Sequence, residues 1–282
     1  MMAFPYLRTK CIQLLYLSSE ESKAAHREVP WHLSFDHALG PAFIAKLAVE
    51  AEMQGWWSDV LRDPKLLIAL RGSYLNVYWR GQSLFCASWQ KPDDEAAASC
   101  VKSGVKATTH EKYLVDPELA SQVSLTDRVF DIASLADKGF IRCYEGPLTL
   151  AKMKKAAGLF SGFEKTGCHE IAVRNSAVID VEIAFPAKVS LDDGRKDKQA
   201  PRIDLVTLKS YADEARLVFW EAKHYSNKEL RAESRPPAVL RQVKIYKKYL
   251  SENRKAIEHS HQKVAENLVS ISNMAGNANS HP

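Results

Sequence analysis

The stretches that decide the fold are Arg202-Ile203-Asp204-Leu205-Val206, Leu217-Val218-Phe219-Trp220-Glu221-Ala222-Lys223 and Gln242-Val243-Lys244-Ile245-Tyr246. The first two are apolar runs dense in Val, Ile, Leu and Phe, which read as buried strands. Each carries charge inside the run: Asp204 in the first, Glu221 and Lys223 in the second. A carboxylate in such a setting is costly unless it is paired or bound to a cation. The period-two geometry of a strand puts Glu221 and Lys223 on one face, with Trp220 and Ala222 on the other. Asp204 and Glu221 lie seventeen positions apart, which leaves room for a strand end, a turn and a return strand that brings the two acids together.

Working outward, strands are expected at Ala177 to Phe185, Ile203 to Leu208 and Arg216 to Ala222, separated by a polar insertion (Asp192 to Gln199) and a turn (Ser210 to Glu214). Pro236-Pro237 opens a helix over Ala238 to Asn253, because proline is tolerated in a helix's first turn. Upstream, a helical stretch spans Leu148 to Val173, with Gly158, Gly162 and Gly167 each weakening it by about 1 kcal/mol relative to Ala. The order is helix, three strands, helix. Nearer the N-terminus, Phe43, Ile44, Leu47, Ala48, Ala51 and Trp56 recur mostly at helical steps within Phe35 to Leu61, and the helix must end before Asp63-Pro64. Leu66 to Leu70, Tyr74 to Trp79 and Ser83 to Trp89 read as an antiparallel meander. Lys91 to Thr109 has little hydrophobic pattern and reads as an interdomain loop. These features predict an N-terminal α+β module over 1–110, a main domain over 111–269 and a frayed tail over 270–282.

The chain has 282 residues, of which 46% are hydrophobic, enough for one large core or two small ones. Its five cysteines (11, 86, 100, 143 and 168) form no Cys-x-x-Cys pair, so neither a disulfide framework nor a zinc knuckle is suggested. Met1 to Leu17 has no signal-peptide pattern, and no window approaches the roughly 18 apolar residues of a membrane helix. A reducing cytoplasm and no membrane attachment are expected. The net charge of +5 permits a polyanionic partner without requiring one.

Two carboxylates and a backbone carbonyl suffice for Mg²⁺ or Mn²⁺, because these cations take oxygen ligands and keep several waters. Asp204 and Glu221 can supply the carboxylates, and Ala222 the carbonyl. Such an ion activates water and neutralises charge on a phosphodiester. Lys223, a compact point charge beside it, can orient the attacking water and stabilise developing negative charge. Gln242 and Tyr246 project from one face of the following helix. Arg241, Lys244, Lys247 and Lys248 surround them, and Pro201 to Lys255 carries thirteen Lys and Arg against seven acids. That excess suits a phosphate backbone.

With Asp204, Glu221-Ala222-Lys223 and Gln242-x-x-x-Tyr246 in this order, residues 148 to 255 resemble the PD-(D/E)XK nuclease superfamily, specifically its RecB-type branch. The resemblance implies an α/β (α+β), restriction-endonuclease-like core: a central mixed β-sheet flanked by helices, of αβββαβ type. It implies metal binding by Asp204 and Glu221, water activation by Lys223, and contact with DNA, or support of the site, by Gln242 and Tyr246. It also implies a first-motif glutamate, for which Glu164, Glu170 and Glu182 compete and Glu170 is preferred, as a catalytic and metal-binding residue. The dipeptide Arg202-Ile203 departs from the Pro or Gly often found before that Asp. The expected function is DNA cleavage, with RNA, strandedness, exo- or endonucleolytic mode and homo-oligomerisation left open. The rival expectation is a non-catalytic nucleic-acid-binding or assembly subunit of a bacterial or phage defence or repair system.

Other features read more plainly. His224 is a strand-end histidine before it is a substrate contact. Cys168-His169 point apart on a helix, and His259 and His261 carry no expected role. Tyr78, Trp79 and Trp89 are meander core before they are base-stacking surfaces.

Overall fold

The computed structural model describes residues 9–16, 37–90, 104–116, 125–126, 129–130, 139–184, 202–211, 214–232 and 236–280, with the backbone alone at 9–16, 125–126, 129–130 and 277–280. In chain order the described elements are β1 (Thr9–Tyr16), α1 (Pro41–Ala51), α2 (Trp56–Arg62), β2 (Leu67–Leu70), β3 (Tyr74–Trp79), β4 (Gln82–Gln90), β5 (Gly104–Thr108), β6 (Leu125–Thr126), β7 (Val129–Phe130), α3 (Pro147–Gly158), α4 (Phe163–Ala172), β8 (Val178–Ala184), β9 (Arg202–Tyr211), β10 (Glu214–His224), α5 (Ala238–Glu252) and α6 (Arg254–Ser280). They fall into two compact units. The first gathers described residues within 1–38, 69–72 and 162–268, the second those within 39–68, 73–161 and 269–282. This division does not follow the expected boundary near residue 110. None of the described helices is long and apolar enough to cross a membrane.

The first unit is built on a four-stranded sheet in the order β1-β10-β9-β8. Its pairings are antiparallel throughout, where a mixed sheet was expected. The reason is that β1 occupies the place beside β10, while α6 rather than a strand follows α5. Ile183, Ile203, Val206 and Phe219 of the sheet pack with Ile245, Tyr246 and Leu250 of α5 and Ile257 of α6. Burying each such side chain contributes about 1.5–3 kcal/mol. The β9–β10 hairpin is longer than expected because cross-strand pairs extend it beyond Leu208. The Trp220 indole N–H donates to Thr207 Oγ1 at 2.9 Å, and the Arg216 guanidinium lies 4.6 Å from the Tyr211 ring centroid.

Asp180 of β8, only 2% exposed, sits at a buried ionic knot in this unit. Its Oδ1 accepts from Arg71 Nη1 at 2.8 Å and from the Val181 N–H at 2.7 Å. The Arg71 guanidinium also donates to the carbonyls of Leu70 and Val181. His37 Nδ1 lies 3.9 Å from Asp180, and the His37 N–H donates to Ser260 Oγ. Next to Ser260, buried His261 holds Nδ1 at 2.8 Å from the Ile257 carbonyl and meets Phe219 edge-on. Burial lowers its pKa and the Arg71 charge lowers it further, whereas Asp180 and the Ile257 carbonyl pull it back up. Below about pH 6.5 an unfolded histidine takes a proton that folded His261 resists, so stability falls as pH drops, by at most about 1.4 kcal/mol per pH unit for this one proton. His261→Gln is expected to flatten the loss of urea midpoint between pH 7.5 and 5.5; an unchanged loss would show that His261 is not its source.

The second unit carries the sheet β2-β3-β4-β5. The turn between β3 and β4 falls where expected: Arg80 and Gly81 both adopt positive φ (49° and 73°) and make a two-residue hairpin turn between Trp79 and Gln82. Phe43, Leu47, Trp57, Leu75, Leu84 and Met153 are among its buried side chains. Four expectations change. Residues 104–108 form β5, paired with β4, rather than ending a loop; residues 91–103 of that loop, like the insertion at 192–199, lie outside the described residues. The single helix expected in Phe35 to Leu61 is α1 and α2, broken near Gly55. The single helix over 148–173 is α3 and α4, with Gly158 and Gly162 at the break. The expected frayed tail is helical to Ser280, and its apolar Ile271 and Met274 are buried.

Candidate active site

The site forms where two strands part. From Glu214↔Tyr211 to Trp220↔Leu205, β10 pairs with β9, and the described pairing stops there. Beyond it β9 stays with β8 (Ile203↔Ile183, Arg202↔Ala184), while β10 continues along β1 (Cys11↔Ala222, Thr9↔His224). The edge of β10 that β9 has left still presents N–H groups, and carboxylates satisfy them. Asp204 Oδ2 accepts the Ala222 N–H at 2.7 Å, and Glu164 Oε1, from the first turn of α4, accepts the His224 N–H at 2.9 Å. Strand geometry sends a residue's C=O to the same edge as its N–H, so the Ala222 carbonyl faces this fork too.

On β10, Glu221 and Lys223 share a face, with Lys223 Nζ 2.9 Å from Glu221 Oε1. Both are buried, at 2% and 8% exposure, so they are not a surface ion pair. Lys223 Nζ also lies 3.1 Å from Glu229 Oε2. Burial acts to lower the pKa of Lys223, but Glu221 and Glu229 outweigh it and raise the value, so the side chain is an ammonium at neutral pH. Glu221 and Asp204 both have raised pKa values. Burial is the first cause for each; Glu221 is pushed further by the Asp204 charge, and Asp204 by Glu182 and Glu164, against the Ala222 N–H and Lys223. Glu221 Oε2 is buried with no hydrogen-bond partner among the described residues, while Lys223 and Gln242 act to lower the Glu221 pKa.

These features test whether a divalent cation fits. A buried and a half-buried acid that resist ionisation together, one with an unpartnered oxygen among the described residues, are relieved by a cation between them. Among the described residues no three His, Cys, Asp or Glu side chains converge on one ion position. A cation here therefore draws on Asp204, Glu221, the Ala222 carbonyl and water, a donor set that suits Mg²⁺ or Mn²⁺ better than zinc.

The remaining expected residues divide. Glu170, preferred as the fourth ligand, is six residues past Glu164 on α4, about 9 Å along the axis. It pairs with Arg174 at 3.3 Å. Glu164 and Glu182 are the acids whose charges bear on Asp204. Glu182 has φ of 54° within β8, a conformation strained by about 1–3 kcal/mol for a non-glycine residue. Arg202 (3.2 Å) and Lys165 (3.5 Å) pair with it.

Gln242 and Tyr246 do share a face of α5: Gln242 Nε2 donates to the Tyr246 hydroxyl at 2.6 Å, and that hydroxyl donates to the Arg202 carbonyl at 2.6 Å. Tyr246 is 1% exposed, so it acts on the site by pinning β9 two residues before Asp204. Of the basic residues beside them, Lys244 is exposed and Arg241 half-buried. Tyr246→Phe is expected to cost about 1–3 kcal/mol in a denaturant titration, as both hydrogen bonds of the hydroxyl are lost. Equal midpoints for the two proteins would contradict the pinning role.

No family model, curated protein or solved structure matches the chain. The reading of the site rests on its own geometry. That geometry adds two residues that sequence reasoning missed, Glu229 on Lys223 and Asn227, whose Nδ2 donates to Glu164 Oε1 at 2.7 Å. Both lie in a segment without periodicity, where Asn227 Oδ1 accepts the Glu229 N–H in a local turn; the Asn-x-Glu spacing was the available signal.

Proposed function

We propose that the unit holding the strand fork is a Mg²⁺- or Mn²⁺-dependent deoxyribonuclease. What carries this reading is the fork itself, with Asp204 seated on the Ala222 N–H beside the buried Glu221–Lys223 pair. Asp204, Glu221 and the Ala222 carbonyl would hold the cation, which supplies an activated water and neutralises phosphate charge. Lys223, protonated, cannot serve as the base. Its ammonium instead orients the attacking water and stabilises charge on the phosphoryl oxygens. Water adds to phosphorus, the ester P–O bond breaks, and the leaving oxygen takes a proton, giving a phosphomonoester and an alcohol. Tyr246 and Glu164 keep β9 and β10 at the separation this needs. The basic face of α5, with Lys244 and Arg241, would lie toward the polynucleotide backbone.

The test is cleavage of linear, circular and single-stranded DNA with Mg²⁺ or Mn²⁺ by the wild type, Lys223→Ala and Asp204→Ala. The wild type is expected to cut and both variants to fail; equal activity in all three overturns the reading. A second reading, a nucleic-acid-binding or assembly subunit that keeps the fold without turnover, draws on the fact that Asp204 and Glu164 each already bond a β10 N–H. Salt-dependent DNA affinity that survives Asp204→Ala, with no metal binding, would favour it.

A further inference from the structure

Beside the fork stands a group of exposed rings that the proposed chemistry does not use. Phe163, the first residue of α4, is 76% exposed, and Tyr225 is 43% exposed. Between them lies His224, whose ring is stacked on Phe163 (centroids 5.7 Å, 29°) and lies 4.5 Å from Tyr225. The group is fixed to the fork from both ends. Phe163 directly precedes Glu164 and His224 directly follows Lys223, and the Glu164 carboxylate accepts both the His224 N–H and Asn227 Nδ2. Arg231 braces the far side, donating to the carbonyls of Tyr225 (3.1 Å) and Asn227 (3.2 Å). Lys228, three residues after Tyr225, is exposed, whereas Lys165 turns its ammonium to Glu182 at 3.5 Å.

Exposed aromatic faces with an exposed lysine three residues from one of them fit a flat, weakly polar ring that carries anions on a tether. Paired bases in a duplex already stack on their neighbours and offer grooves only their edges. We infer that Phe163, His224 and Tyr225 form a ledge that stacks the unpaired base beside the scissile phosphate, so that the site takes single-stranded DNA or a frayed duplex end. The placement of that phosphate rests on the nuclease reading above; the ledge itself does not.

The test therefore uses binding without turnover. A single-stranded oligodeoxynucleotide containing 2-aminopurine is titrated with full-length protein in EDTA, alongside a blunt duplex of the same sequence. The wild type is expected to quench the fluorescence, Phe163→Ala to weaken single-strand binding about tenfold, Tyr225→Ala to weaken it less, and Phe163→Trp to restore it. Because Phe163 is exposed, the melting temperature of its variants should match the wild type. Unchanged single-strand affinity in Phe163→Ala, or an equal loss on the duplex, overturns the ledge. So does a Phe163→Ala protein that changes only its sedimentation, which would make the rings a self-association face. Weakened binding in a protein that never cleaves would support the ledge and defeat the nuclease reading; normal cleavage with unaltered binding would do the reverse.

Discussion

Asp204→Asn is expected to lower metal-dependent cleavage by at least about a thousandfold and, at the same time, to raise the melting temperature of the metal-free protein. The two effects share one cause. The Asp204 carboxylate is desolvated and faces Glu221, Glu182 and Glu164 with only Lys223 and the Ala222 N–H in opposition. Asparagine keeps an oxygen for the Ala222 N–H, 2.7 Å away in the native chain, and removes the charge. Like-charge repulsion is relieved, and the cation loses a ligand. Glu221→Gln should behave the same way, since Glu221 Oε2 is buried with no hydrogen-bond partner among the described residues. Thermal melts in EDTA and in Mn²⁺ read both halves: Mn²⁺ should stabilise the wild type by mass action and leave the variants unmoved. A variant that melts below the wild type in EDTA while still cleaving would reject this role for Asp204.

Arg71→Ala should produce the largest loss of stability, about 3–5 kcal/mol by urea denaturation. Asp180 is a carboxylate 2% exposed on β8, and Arg71 is its closest cation, at 2.8 Å. Truncating the arginine strands a buried negative charge whose neighbours among the described residues then include the Val181 N–H and His37 at 3.9 Å. It also takes a donor from the carbonyls of Leu70 and Val181. Removing both charges together, as Arg71→Met with Asp180→Leu, should recover much of that loss, because the desolvation penalty disappears with the pair. A loss below about 1 kcal/mol for Arg71→Ala would mean that the pair is hydrated rather than buried.

What was legible in the sequence follows from the range of each signal. Strands β8 to β10 and helix α5 announce themselves through dense apolar runs and a prolyl start, and the residues Asp204, Glu221 and Lys223 meet because strand period and hairpin return are local geometry. Which glutamate lies nearest the fork was not legible for an equally physical reason. Glu164 and Glu170 share α4, and only the start of that helix at Phe163, after the break between Gly158 and Gly162, puts Glu164 in a first turn beside β10. The antiparallel sheet depends on β1, about 200 residues from its partner β10, and no local pattern specifies so distant a pairing. The helical tail was not legible because Asn, Ser and Ala dominate its composition, while the two apolar residues it buries, Ile271 and Met274, are too few to make a periodic signal. The Arg71–Asp180 pair joins positions far apart in the chain, and neither residue is unusual alone.

The most direct test of the strand fork as a cation site is calorimetric titration of Mn²⁺ into the full-length protein, with Asp204→Asn and Glu221→Gln alongside. One ion per chain is expected in the wild type and none at the same concentrations in either variant. Absence of binding in the wild type, or undiminished binding in both variants, would contradict it.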